Sequence, residues 1–197
     1  TKLTKQIEKI TDYKRRKKLL SDEISRLENS DLDNKELLIK KLEKKYTLGK
    51  IKFDSVIIAD FNESLKSVTT SLLYTDVMPD KNYFITLNQW FDESLLEEKN
   101  IQPIYYPSIN KKNLDEFKKN FNNKFNQNPN HLSLLSYDLL GLVYYLSLDT
   151  SFENLNHLFK KKSSFKGKIG IFDIKDNKIY HRLNFYKIYN NEIRKIF

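Results

Sequence analysis

The sequence predicts an α/β protein: a partly parallel sheet flanked by helices, an N-terminal charged helical pair, and antiparallel C-terminal strands. Three observations carry the prediction. Over residues 53–87 the order is strand, helix, strand, a βαβ unit that implies neighbouring parallel strands and a right-handed crossover. Over residues 2–46 apolar side chains recur at helical spacing between Lys and Glu. From Gly167 onward, short β-prone runs alternate with two- to four-residue polar turns, and strands joined that tightly are antiparallel.

Taken in order, Leu3, Ile7, Ile10, Leu20, Ile24 and Leu27 mark a first helix from Lys2 to about Leu27. "NSDLDNKE" breaks it. Asp33 followed by Glu36 is a capping-box pattern that launches a second helix with Leu37, Leu38 and Leu42 on one face, and Gly49 supplies the stop. "FDSVIIA" reads as a buried strand, and "NESLKSVTTSLLYTDV" as a helix with Leu65, Val68 and Leu72 inward. "MPDKN" is a turn and "YFITL" a second strand. Asp92 is the expected N-cap of a short helix, and "IQPIYYPS" is an extended piece between prolines. Leu114, Phe117, Phe121 and Phe125 give the next helix its apolar stripe, which "NQNP" ends. "HLSLLSYDLLGLVYYLSL" is the most apolar helix and is expected to be packed on more than one side. Thr150 and Glu153 form a further capping box, and the tail "GKIGIFDI", "KIYHRLNFYKIY" and "NEIRKIF" supplies the strands.

Composition excludes several chemistries. The absence of cysteine removes disulfides, thiolate catalysis and cysteine metal sites. The apolar runs all fall short of the length that spans a bilayer, and "TKLTKQIEKI" lacks the apolar core of a signal peptide. The net charge of +9 gathers in "YKRRKK" (13–18), "KKLEKK" (40–45) and "KKK" (160–162). These runs are almost all Lys and are interleaved with Glu, the pattern of a solvated helix face rather than of groove recognition by Arg; no nucleic-acid partner is expected. With four glycines and no G-x-G-x-x-G or P-loop spacing, no phosphate cradle is expected. His131, His157 and His181 sit in separate elements without ligand spacing, so neither a metal nor a cofactor is expected. In "FNES" (61–64) and "FDES" (91–94), Asn62 and Asp92 suit capping, and Glu63 and Glu93 suit the positive end of a helix dipole. No local constellation favours an enzyme.

The series "FDSVIIADFNESLKSVTTSLLYTDV", "YFITLNQWFDESLL", "FKKNFNNKFNQNP", "SLLSYDLLGLVYYL" and "FKGKIGIFDIKDNKIYHRLNFYKI" resembles the C-terminal half of type I periplasmic binding proteins. It is most similar to the branch of penicillin-binding-protein activators and leucine/isoleucine/valine-type substrate-binding proteins, and "TDYKRRKKLLSDE" resembles a charged insertion of the activator branch. The resemblance implies a bilobed fold with a ligand cleft. Residues 1–105 would form second-lobe α/β structure with the helical pair, and 106–197 first-lobe helices and returning strands, with hinge crossings near "IYYPS" and in the last hairpin. It also implies a missing N-terminal half carrying a signal peptide and often a lipidated cysteine. Asp60, Phe61 and Asn62 after the first strand, and Asn88, Gln89 and Trp90 after the second, would be the ligand-binding residues. The implied function is a non-catalytic cell-envelope regulator of peptidoglycan synthesis, periplasmic and partnered with a peptidoglycan synthase. The alternative is the solute receptor of an ABC transporter permease for amino acids or similar small polar ligands. Without the missing half, apolar faces such as Leu114, Phe117 and Phe121 would be exposed, to be covered by that half or by a homodimer. In the family's hairpin, Asn177 would take the left-handed position.

Overall fold

The computed structural model describes residues 2–87, 93–148, 164–168, 170–176 and 178–197. The protein is α/β, with a partly parallel five-stranded sheet flanked by helices and a separate antiparallel sheet of three strands. The expected capping boxes and sites at Asp92, Thr150, Glu153, His157 and Asn177 lie outside the described residues.

The N-terminal pattern expected as one helix forms two, α1 (Lys2–Ile10) and α2 (Tyr13–Glu28). The Thr11 hydroxyl donates back to the Ile7 carbonyl at 2.8 Å, and Asp12 turns the chain with φ 55°, a conformation Asp tolerates. Helix α3 (Lys35–Glu43) starts beyond the Asp33 capping box: Asn34 occupies the N-cap without a side-chain bond. It also ends six residues before Gly49. That glycine (φ 101°) instead turns the following loop, which is held where the Leu48 amide donates to the Arg16 carbonyl at 3.0 Å.

Strand β1 (Ser55–Ile58), helix α4 (Asn62–Tyr74) and strand β2 (Tyr83–Thr86) form the expected parallel βαβ unit, with Ile58 opposite Thr86. Strand β3 (Ile104–Ser108) continues it in parallel with β2. The full order is β1-β2-β3-β7-β8, where β7 is Asn184–Tyr189 and β8 is Glu192–Lys195. A two-residue turn joins the last two strands, with both central residues, Asn190 (φ 51°) and Asn191 (φ 61°), left-handed as such a hairpin requires. Strand β1 is not the buried strand expected. It is an edge strand, so one face stays open and Ile57 is 68% exposed.

The chain divides into two compact units: 1–87, 92–105 and 187–193 in the first, and 88–91, 106–186 and 194–197 in the second. The first is built on Leu65, Leu72, Val77 and Phe84, all essentially buried, with α1 and α2 packed beside α4; Tyr13 and Tyr74 meet at 5.3 Å between ring centres. The second contains α5 (Lys111–Phe125), α6 (His131–Ser147) and the antiparallel strands β4 (Ser164–Lys166), β5 (Ile171–Lys175) and β6 (Lys178–Arg182). Asn110 and Asn130 cap the two helices through their side-chain oxygens.

In the second unit the exposed apolar surface lies on a different helix from the one expected. Leu114 and Phe117 are buried with Ile109 and Leu134, and Phe121 packs against that cluster. Helix α6, expected to be enclosed, buries Leu134 and Leu146 and leaves its opposite side in solvent. Among the described residues, Phe117 at one end of the helix and Phe165 and Phe172 at the other cover one stripe only.

Candidate functional site

Parallel strands β1 and β2 are in register, so Asp60 and Leu87 leave the sheet at the same, carboxyl-terminal edge, where open α/β sheets collect ligands. At that edge the Asp60 carboxylate accepts the Phe61 amide at 2.9 Å. Phe61 is extended, occupies the N-cap of α4 and is 52% exposed. Asn62, expected as the cap, is instead the first helical residue with φ 47°. The reason is local: a cap needs extended backbone, which Phe61 has and Asn62, with its left-handed φ, does not. Glu63 pairs with Lys66 at 3.5 Å in the first turn. Asp60, Phe61 and Asn62 are thus together at a strand-to-helix junction. Asn88, Gln89 and Trp90 lie outside the described residues.

In the second unit, the sequence signals "SYDLLGL" and "FKGKIGIF" meet. Asp138 on α6 accepts the Lys168 amide at 2.8 Å, and the Asp138 carboxylate occupies the space a Cβ on Gly167 would fill. Glycine at 167 thus serves close approach rather than backbone angle, and any Cβ there would have to displace the Asp138 carboxylate. Beside this latch lies a cavity of about 220 Å³ walled by Ile109, Leu139, Leu142 and Phe172, with Asp138 and His181 at its margin. With Leu135 and Ile179 completing the wall, the cavity is chiefly apolar. On the antiparallel sheet Asp173 takes a two-pronged bond from Arg182, at 3.0 and 3.1 Å. Those bonds, with a further one from Ser164, hold the Asp173 carboxyl below its usual range.

The chain matches no family model, no curated protein and no solved structure. The site therefore rests on its own geometry. Among the described residues no three His, Asp or Glu side chains gather as metal ligands, and no helix is long and apolar enough to cross a membrane.

Sequence reasoning missed Arg16, which it placed on a solvated face. The residue is 3% exposed. Its guanidinium donates to the Thr75 carbonyl at 3.0 Å and to the Thr47 hydroxyl at 2.6 Å, and lies 3.5 Å from Asp76. Thr47 in turn donates to Asp76 at 2.5 Å. Burial pushes the Arg16 pKa down, and the neighbouring Asp76 opposes that shift. The signal was helical phase: 16, 20 and 27 fall on one side of α2, and Leu20 and Leu27 are buried with it.

Proposed function

We propose that this chain is a non-catalytic binding protein of the cell envelope. It acts in the periplasm as a regulator of peptidoglycan synthesis, of the penicillin-binding-protein-activator kind, by contact with a peptidoglycan synthase. The observation that supports this reading best is the outward side of α6. Leu132, Leu140, Tyr144 and Leu148 are 59–69% exposed. Together they leave on the order of 500 Å² of surface in water, more than half of one partner's share of a standard protein interface. Apolar patches of about that size are often functional. The face carries no charge, since Asp138 is latched on the other side of the helix, and the chain's net charge is +9, so its complement is an apolar protein surface rather than an acidic one.

The test is binding of the protein to a purified peptidoglycan synthase, followed by biolayer interferometry without added solute. Saturable binding that is lost in a Leu140→Glu/Tyr144→Glu variant of unchanged helicity supports the reading. Absence of saturable binding overturns it. The second reading, a solute receptor for amino acids or similar small polar ligands, is favoured by Asp60, Phe61 and Asn62 at the carboxyl edge of the parallel strands. A saturable rise in melting temperature with an amino acid, abolished by Asp60→Ala, would favour that alternative.

A further inference from the structure

Beyond the α6 face, and independent of that reading, the first unit holds a second feature suited to a ligand. A cleft of about 670 Å³ opens between the end of α3 and the turn after α4, within the size range of small-molecule sites. Four lysines from three separate segments line it: Lys44 and Lys45 at the end of α3, Lys50 just after the Gly49 turn, and Lys81 before β2. Among the described residues, none of the four pairs with a carboxylate. Lys44 and Lys45 also suit the negative end of the α3 dipole, but Lys50 and Lys81 are at no helix end, so the dipole accounts for only half of the cluster.

Behind the lysines, Arg16 also lines the cleft, and its buried Nε has no hydrogen-bond partner. An unpartnered buried donor on a cation is uncommon and calls for a reason. The carboxylates do not balance this charge. Asp76 is already engaged by Thr47 and Arg16, and Asp54 is the other acid in the lining, so five cations face two carboxylates for a local charge of +3. The walls are held in place: Asn82 donates to the Phe53 carbonyl at 2.8 Å, and Thr47 is buried under its bonds to Arg16 and Asp76.

We propose that this cleft binds a phosphate-bearing anion. Lysines act as point charges toward phosphate and require no planar fork geometry, which fits a site rimmed by lysine with one arginine at its back. The same chemistry is offered by a free pyrophosphate and by the headgroup of an anionic lipid.

The experiment is calorimetric titration of the protein with sodium pyrophosphate. In parallel, flotation is run with vesicles of phosphatidylcholine alone or containing phosphatidylglycerol. Two variants accompany the wild type: Lys45→Gln/Lys50→Gln/Lys81→Gln in the cleft, and Lys17→Gln/Lys18→Gln/Lys41→Gln on exposed helix faces, which removes the same charge elsewhere. Saturable pyrophosphate binding, weakened roughly tenfold or more in the cleft variant and little changed in the control, supports a free ligand. The same pattern on phosphatidylglycerol vesicles alone supports a headgroup. Should the triple cleft variant melt early, Lys50→Gln/Lys81→Gln, at two exposed loop positions, serves in its place. Two outcomes overturn the proposal: no saturable binding to either probe, or equal weakening in cleft and control variants.

Discussion

Replacing Arg16 with Met tests how the first unit is held together. The Met side chain keeps most of the aliphatic stem, so the change removes polar contacts more than packing. Three hydrogen bonds go, to the Thr75 carbonyl at 3.0 Å, to the Thr47 hydroxyl at 2.6 Å and, at the limit of bonding distance, to the Thr11 carbonyl at 3.5 Å. Bonds made by a charged donor contribute about 1.5–3 kcal/mol each when formed in the interior. Asp76, whose side chain is 20% exposed, also loses its cation at 3.5 Å. Removing one member of a fully buried pair costs about 3–5 kcal/mol, and the partial exposure of Asp76 lowers that figure. Against these losses stands the desolvation of the guanidinium, visible as the downward push on the Arg16 pKa, which the Met variant no longer incurs. The net expectation is a destabilisation of about 2–3 kcal/mol, or a fall in Tm of roughly 4–12 °C for a chain of this size. Urea denaturation of Arg16→Met, Asp76→Asn and the double variant closes a cycle. Coupling between the two sites should appear as a double-variant loss smaller than the sum of the single losses. A loss below about 0.5 kcal/mol in Arg16→Met, the range of ordinary surface substitutions, would refute the idea that Arg16 clasps α2, the 44–54 loop and the end of α4 together.

Further predictions concern the second unit. Gly167→Ala should destabilise by about 1–3 kcal/mol, because the added methyl meets the Asp138 carboxylate; Asp138→Ala should relieve that clash, so the melting temperature of the pair shows strong non-additivity. Tyr106 is 5% exposed and stacks on Tyr186 at 5.6 Å, and burial, followed by the charges of Tyr186 and Asp115, raises its pKa above the phenol's ordinary value. The folded pKa being the higher one, this contribution is complete below the unfolded value of about 10 and is lost as pH rises beyond it; Tyr106→Phe should flatten the fall of stability measured by urea midpoints above that pH. Asp173 has the opposite sign: its depressed pKa stabilises above the unfolded value of about 3.9 and the benefit disappears as pH falls through the folded one, so Arg182→Gln should make the acid limb of the melting curve shallower. Leu140→Glu/Tyr144→Glu on the open face of α6 should leave the melting temperature within about 2 °C of wild type, since both side chains are already about two-thirds exposed.

The sequence by itself determined the elements that depend on local pattern. The βαβ unit was legible because β-branched runs and helical spacing alternate over 53–87, and the parallel direction of its strands follows from that order. The Asn190–Asn191 turn was legible because it uses φ preferences that act within a few residues, whereas the caps formed by Asn110 and Asn130 were missed although they are equally local. Of the candidate site, its position was legible: Asp60, Phe61 and Asn62 do end a strand and begin a helix. Their roles were not, since Phe61 takes the extended backbone of the cap and Asn62 is left-handed.

Only the tertiary structure decided which apolar residues are covered. Periodicity shows that a helix has apolar positions but not how many neighbours reach them. Thus the Phe117 stripe found partners in Ile109 and Leu134, while the more apolar α6 kept one side bare. The same limit hid Arg16 and Gly167. A buried arginine depends on a hydroxyl and a carboxylate 31 and 60 residues away in the chain, and a required glycine depends on a carboxylate 29 residues upstream. Contacts between residues distant in sequence leave no periodic trace, because each is set by where two elements happen to meet and not by the pattern within either one.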